Sequence, residues 1–311
     1  MFEGIEIPKL RLLIPTGRHM LPHETISSHP TLVLLRFTVV TGLLLSAGLA
    51  FAQNPAKKAA SPWEVSVGMG LVSTPGYEGS NQAVTGLVPD VNVSYKTDGL
   101  GSFAFGTKAR GLTWTAIDTE AYSLGLSLGA SATRTDGKDG TVFSPGSKRL
   151  KGMGEIKSRA EYGLFGHVQV GVPLTFALIK GAGNATANAR DGSFNGHGGT
   201  RLELGASIPW QVSSNLDVSF SPNIVWADNK YNQTYFGVTS AQSAKSGFAA
   251  YAAKSGIKSV GLTVGADYKI DDNWSANATL SLNQLRGDAA KSPLVQSKSQ
   301  NTFAVGVSYL F

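Results

Sequence analysis

From Trp63 to the C-terminus, apolar residues recur with a period of two, the signature of strands with one apolar face. The last strand shows it best. Phe303, Val305, Val307, Tyr309 and Phe311 share one face, and Thr302, Ala304, Gly306 and Ser308 share the other. The runs 259–270 and 274–283 repeat the alternation, as do 63–71, 87–95, 122–132, 155–170, 202–212 and 216–226. These strands run about 10–14 residues, beyond the usual globular length and long enough to cross a bilayer at a tilt. Small and polar residues fill the second face. Aromatics gather near strand ends (Trp63, Tyr95, Trp210, Trp226, Tyr268, Trp274, Tyr309), where an interfacial girdle would place them. The pattern predicts an all-β fold: a transmembrane antiparallel up-and-down β-barrel. A periplasmic sandwich would alternate as well, but with shorter strands.

Loop lengths set the strand number. Short turns at 96–99, 117–120, 171–172, 213–214 and 271–272 belong on the periplasmic side; long Gly- and charge-rich segments at 74–84, 135–153, 185–198, 229–256 and 287–298 belong outside. The two classes alternate if residues 100–117 form a hairpin turning near 106–110, which gives about twelve strands. Ten strands require breaking that alternation.

Ahead of the barrel, residues 37–52 form an apolar run preceded by Arg36 and ending Ala50-Phe51-Ala52. Arg36, the apolar run and the small residues at Ala50 and Ala52 are the layout of a secretory signal, and the run is shorter than a spanning helix needs. Residues 1–31, with Glu3, Glu6 and Glu24, fit no part of it and suggest an over-called translation start. The expected division is a leader over 1–52, a periplasmic tail over 53–62 and a barrel over 63–311.

Composition agrees with a sheet between lipid and small lumen residues: 37 of 311 residues are Gly and only 15% are charged, against about 25% in soluble domains. The absence of Cys excludes disulfides, thiolate metal centres, a cysteine nucleophile and an acylated lipoprotein. The charge of +6 is spread along the chain, so no nucleic-acid footprint is indicated.

Candidate chemistry is sparse. Gly125-Leu126-Ser127-Leu128-Gly129 matches the nucleophile-elbow pattern but sits mid-strand, where the sharp strand-to-helix turn is missing. His167 is the one strand-borne histidine. It falls on the polar face two-residue steps from Glu161 and Arg159, so a lumenal polar ladder accounts for it, and a barrel lipase is a distant reading. The glycine-rich stretches 181–184 and 195–199 lack a following helix or P-loop lysine and read as turns. Asp271 and Asp272 are too few for a calcium loop, and Asn92 and Asn277 lie within strands rather than at glycosylation loops. The predicted lumen charges (Glu64, Asp90, Lys157, Arg159, Glu161, Arg201, Glu203, Asp217, Asp267, Lys269) have mixed sign, suited to internal pairing or to a weakly selective pore. We expect no catalytic, cofactor or metal site.

Several segments resemble the MipA/OmpV family of Gram-negative outer-membrane proteins. The longest runs from Trp226 and Asp228 through Tyr231, Tyr235, Phe236 and Gly237 to Tyr251, similar to the family's WAD..Y...YFGV...QA..SG...Y loop. Others hold Tyr77, Gly79 and Ser80 in the first outer loop, His197 in Gly196-His197-Gly198-Gly199, and Gly287, Asp288, Ser292 and Pro293 in the last. The resemblance spans nearly all of 63–311, with a departure at 184–194, longer and more polar than the family's usual approach to GHGG. The terminal strand with Tyr309 and Phe311 looks like an insertion signal for the outer-membrane barrel machinery. The resemblance implies a barrel in outer-membrane lipid, without catalytic residues. Its namesake is a scaffold joining a lytic murein transglycosylase to a bifunctional murein synthase; other members are adhesins or porin-like. A solute channel and an adhesin built on loop 229–256 are therefore the alternatives to a scaffold.

Overall fold

A computed structural model describes residues 61–107 and 110–311. The leader, its Ala50 and Ala52 signal and most of the 53–62 tail lie outside the described residues. Twelve antiparallel strands close on themselves: β1 (Trp63–Pro75), β2 (Ala83–Thr97), β3 (Gly101–Gly106), β4 (Gly111–Asp118), β5 (Tyr122–Ala130), β6 (Ala160–Val170), β7 (Val172–Gly181), β8 (Thr200–Ala206 continued by Ile208–Ser213), β9 (Leu216–Ala227), β10 (Gly256–Lys269), β11 (Trp274–Leu285) and β12 (Ser299–Leu310). Each pairs with its sequence neighbour, and β12 returns to β1 with Ser66 opposite Leu310 and Ser73 opposite Phe303, which closes the ring; β2 is paired on its β3 side only over Asn92–Thr97, and Ile208–Ser213 only on its β9 side.

The 100–117 stretch is a hairpin, as the loop alternation requires. Lengths run from 6 residues in β3 to 15 in β2, so the expected 10–14 is too narrow for the β3–β5 region. The 202–212 run is interrupted at Ser207. Its amide donates to the Pro173 carbonyl at 2.9 Å, and beyond it Pro209 has no amide hydrogen with which to continue the β7 ladder. The 155–170 run begins as a strand only at Ala160.

Alternation sorts the faces as the lipid demands. On β5, Tyr122, Leu124, Leu126 and Leu128 are 36–53% exposed on the outside, while Ser123 and Ser127 are buried within. The lumen is not uniformly small and polar, however. Phe165, Ala177 and Ile179 make an apolar patch inside, with the Phe165 ring lying against Gly125, where a side chain would collide with it at 2.6 Å.

One end of the barrel carries both ends of the described barrel chain and tight turns at 98–100, 119–121, 171, 214–215 and 270–273. Here Trp63 lies tilted against Tyr95 at 4.4 Å and Trp274 meets Tyr309 edge-on at 5.2 Å, forming part of the predicted girdle. The other end carries the long loops, and among the described residues most of the large apolar side chains with almost no exposure, Leu150, Met153, Phe194, Phe236 and Leu294, sit there.

Candidate functional site

The long loops fold together into a cap over their end of the barrel. Asp228, at the end of β9, accepts the Tyr231 amide at 2.8 Å and starts helix α1 (Asn229–Phe236). Thr239 and Gln242 form a capping box that starts α2 (Ser240–Ser246), closed by Gly247 in the left-handed region at φ 77°. One cap core gathers Ile156, Phe194, Tyr231, Tyr235, Phe236, Leu285 and Ala289; a second gathers Tyr77, Leu150, Met153, Val238 and Leu294.

Buried hydrogen bonds tie all five long loops. Tyr77 Oη donates to the Leu294 carbonyl (2.8 Å), Tyr235 Oη to Ala132 (2.9 Å) and Ser292 Oγ to Phe236 (2.6 Å). Gln242 Nε2 holds both the Met153 (2.6 Å) and Gly192 (2.9 Å) carbonyls. The 131–159 loop also dips into the barrel, where Val142 packs on Val72 and Val88 of the β1–β2 wall.

Where cap meets wall lies a chain of ionic contacts. Arg201 on β8 forks onto Glu161 of β6 (2.7 and 3.2 Å) and also reaches Glu203 (2.9 Å). Glu203 takes Arg110 at 2.8 Å from the β3–β4 hairpin, four strands further around the ring, so this pair spans the lumen. His197, fully buried, closes the other end. Its Nδ1 accepts the Gly199 amide at 3.3 Å, so Nε2 carries the hydrogen that it gives to Glu161 at 2.5 Å. Tyr231 packs edge-on against His197 at 4.8 Å with Arg201 near its face, and Lys258 pairs with Glu78 beside them. Gly199 must be glycine. A Cβ there would strike the Tyr231 amide nitrogen and the Asp228 carboxylate, which explains why the GHGG and WAD segments belong together. Gly199→Ala is expected to lift α1 from the rim and expose loop 228–255 to added protease, while heat-modifiable electrophoretic migration of the barrel stays unchanged.

The resemblance residues therefore fall mainly within the cap and its rim. Tyr77, Tyr231, Tyr235, Phe236, Ser292 and His197 are buried in it. Gly79 donates its amide to Gln300 Oε1 at 2.8 Å and has φ 106°; Ser80 Oγ donates to the Gln82 carbonyl (3.0 Å); Gly237 ends α1; Gly287 has φ 52°. Asp288 accepts the Lys254 amide (3.0 Å), and the Pro293 carbonyl accepts Arg149 (3.2 Å). Trp226 stands apart on the outer wall, 39% exposed. Tyr309 and Phe311 are in edge contact at the turn end.

Two sequence readings need correction. Glu161 partners His197 and Arg201, not His167. His167 instead meets Ser123 directly across the β5–β6 ladder at 2.6 Å. Lys157 and Arg159 are exposed loop residues rather than lumen charges, because the strand starts after them; Arg159 binds Asn195 at 2.6 Å. Loop 229–256 lies at the long-loop end, as the sequence predicts, and forms the helical heart of the cap. The buried His197 was hidden by its glycine context, although three aromatics within 231–236 signalled that this loop has a core of its own. Among the described residues no three of His, Asp and Glu converge as a metal set.

Burial holds the phenols of Tyr231 and Tyr235 well above the ordinary 10.0. A raised folded value makes their contribution to stability complete below pH 10 and lost as pH rises through the folded values. Tyrosinate absorbance is expected to appear in two stages, the later one coinciding with cap opening. A single stage near the ordinary value would contradict the burial.

These features define a capped outer-membrane β-barrel. The chain belongs to the family of MltA-interacting protein MipA, which it matches over residues 67–311. No curated protein matches it in sequence. Among solved structures it is similar to an outer membrane channel from Pseudomonas putida F1 (13% identity, TM-score 0.37, 83% of this chain and 98% of that one). It is also similar to the Pseudomonas putida toluene transporter TodX (9%, 0.35, 81% and 90%) and to OmpT of Vibrio cholerae (8%, 0.32, 82% and 100%).

Proposed function

We propose that this barrel is a non-enzymatic, non-conducting anchor that presents its periplasmic rim to murein enzymes, a lytic transglycosylase first and a murein synthase through it. The observation that carries the reading is the cap. With five loops bonded to one another over the outer mouth and Arg110–Glu203 spanning the lumen below, the molecule is built as a closed platform rather than an open pore. The family name supplies the partner class. The periplasmic turns are short but carry a concentration of acid: Asp98, Asp118, Glu120, Asp271 and Asp272 are all exposed, with Lys96 and Lys269 the nearby cations. Such a rim attracts a partner with a basic face and makes the association salt-dependent. An adhesin built on loop 229–256 is less well supported, because that loop turns its aromatic residues inward.

The test places a photo-crosslinking residue at Asp98, Thr119 or Asp271 in cells. Capture of a murein transglycosylase from these positions, and not from Lys148 or Lys245 on the cap, is the expected result. Capture of no murein enzyme from any rim position would refute the proposal.

A further inference from the structure

Beneath the cap lies a cavity of about 230 Å³. Its walls carry four cations, Arg110, Arg134, Arg201 and Lys258, and three carboxylates, Glu78, Glu161 and Glu203. The ion pairs account for three cations: Glu161 and Glu203 take Arg201, Glu203 also takes Arg110, and Glu78 takes Lys258. Arg134 is the fourth. It is 4% exposed, lies in no ion pair among the described residues and uses one nitrogen, Nη1, on the Tyr235 carbonyl at 2.9 Å. Its Nε and Nη2 have no partner among the described residues. These two donors form the side of the guanidinium that takes a carboxylate in a bidentate fork. Burial lowers the Arg134 pKa only to about 10, so the group is charged at neutral pH.

The β9 wall adds matching polar groups. Among the described residues, Asn223 has neither its amide nitrogen nor its amide oxygen paired, and Ser221 Oγ is likewise without a partner. Buried polar atoms without partners are rare in folded proteins, and several around one cavity call for a ligand that supplies them. Among the described lining residues the cations exceed the carboxylates by one, with Asp136 acting on Arg134 from outside the lining, so a ligand with a single negative charge fits. It must also bring hydrogen-bond donors and acceptors for Asn223 and Ser221. The volume is below the roughly 300–1,000 Å³ of drug-sized pockets, which limits it to about one sugar ring.

We propose that the cavity is a binding site for a small hydroxyl-bearing monocarboxylate of monosaccharide size, with Arg134 taking the carboxylate and Asn223 and Ser221 the hydroxyl or amide groups. The site is independent of the murein-partner reading, since it lies inside the barrel and away from the periplasmic rim.

Isothermal titration of the detergent-solubilised full chain with D-glucuronate tests it, with glucose (hydroxyls without the charge) and acetate (charge without the hydroxyls) as comparisons. Saturable one-to-one glucuronate binding is expected, with glucose and acetate at least about tenfold weaker. Arg134→Gln removes the preference for glucuronate over glucose. Asn223→Leu, which leaves Arg134 and its bond to Tyr235 in place, weakens glucuronate and glucose alike. If Arg134→Gln fails to give a heat-modifiable folded barrel, the Asn223→Leu titration decides. No saturable glucuronate binding, equal binding of glucose or acetate, or an Asn223→Leu chain that binds as the wild type does would overturn the proposal.

Discussion

Glu161→Leu is expected to destabilise the folded chain by about 3–5 kcal/mol, the cost of removing one partner from a buried ionic cluster. Glu161 accepts from both Arg201 nitrogens and from His197, and its side chain is 9% exposed. Leucine of similar volume leaves the buried His197 Nε2–H without an acceptor and Arg201 with only Glu203. The loss arises from stranded polar groups rather than from a lost attraction, so the conservative Glu161→Gln, which keeps one acceptor, is expected to lose less. Urea unfolding of the detergent-solubilised protein, followed by tryptophan fluorescence, measures both. Equal midpoints for wild type and Glu161→Leu would show that the cluster does not hold cap to wall.

The second large effect is local. Phe236 is fully buried where α1 meets Ala227, Leu285 and Ala289. Phe236→Ala removes most of a phenyl ring from a packed core, a change that typically costs about 3–5 kcal/mol. That energy sits in the cap, because the wall closes through strand pairing that does not involve Phe236. The variant is therefore expected to keep the heat-modifiable migration of a folded barrel while external protease cleaves loop 228–255 in intact cells. A barrel that fails to fold would show that cap and wall form one cooperative unit. Continued protease resistance would show that Phe236 does not hold the cap.

The barrel was legible in the sequence because lipid on one side imposes a strict period of two. Leu124, Leu126 and Leu128 could be assigned outward from alternation alone, and the hairpin within 100–117 followed from loop lengths. The break at Ser207 was less accessible. It depends on where Pro173 and Pro209 fall in register, which alternation does not specify.

The cap was visible only as a set of motifs. Its contacts join residues far apart in sequence, such as Tyr235 to Ala132 across 103 positions and Tyr77 to Leu294 across 217. Nothing local in 229–256 states that it turns inward, apart from Tyr231, Tyr235 and Phe236, three large aromatics unsuited to a solvated loop. His197 was similarly hidden. Flanked by glycines, it reads as turn chemistry until the Gly199 amide and Glu161 are seen on its two nitrogens.

Closure of the outer mouth is the claim on which the platform reading depends, and planar-bilayer recording tests it most directly. The intact protein is expected to insert without stepwise conductance, whereas a chain with residues 230–252 replaced by a short Gly-Ser linker gives discrete open steps. Stable open-pore steps from the intact protein would contradict it.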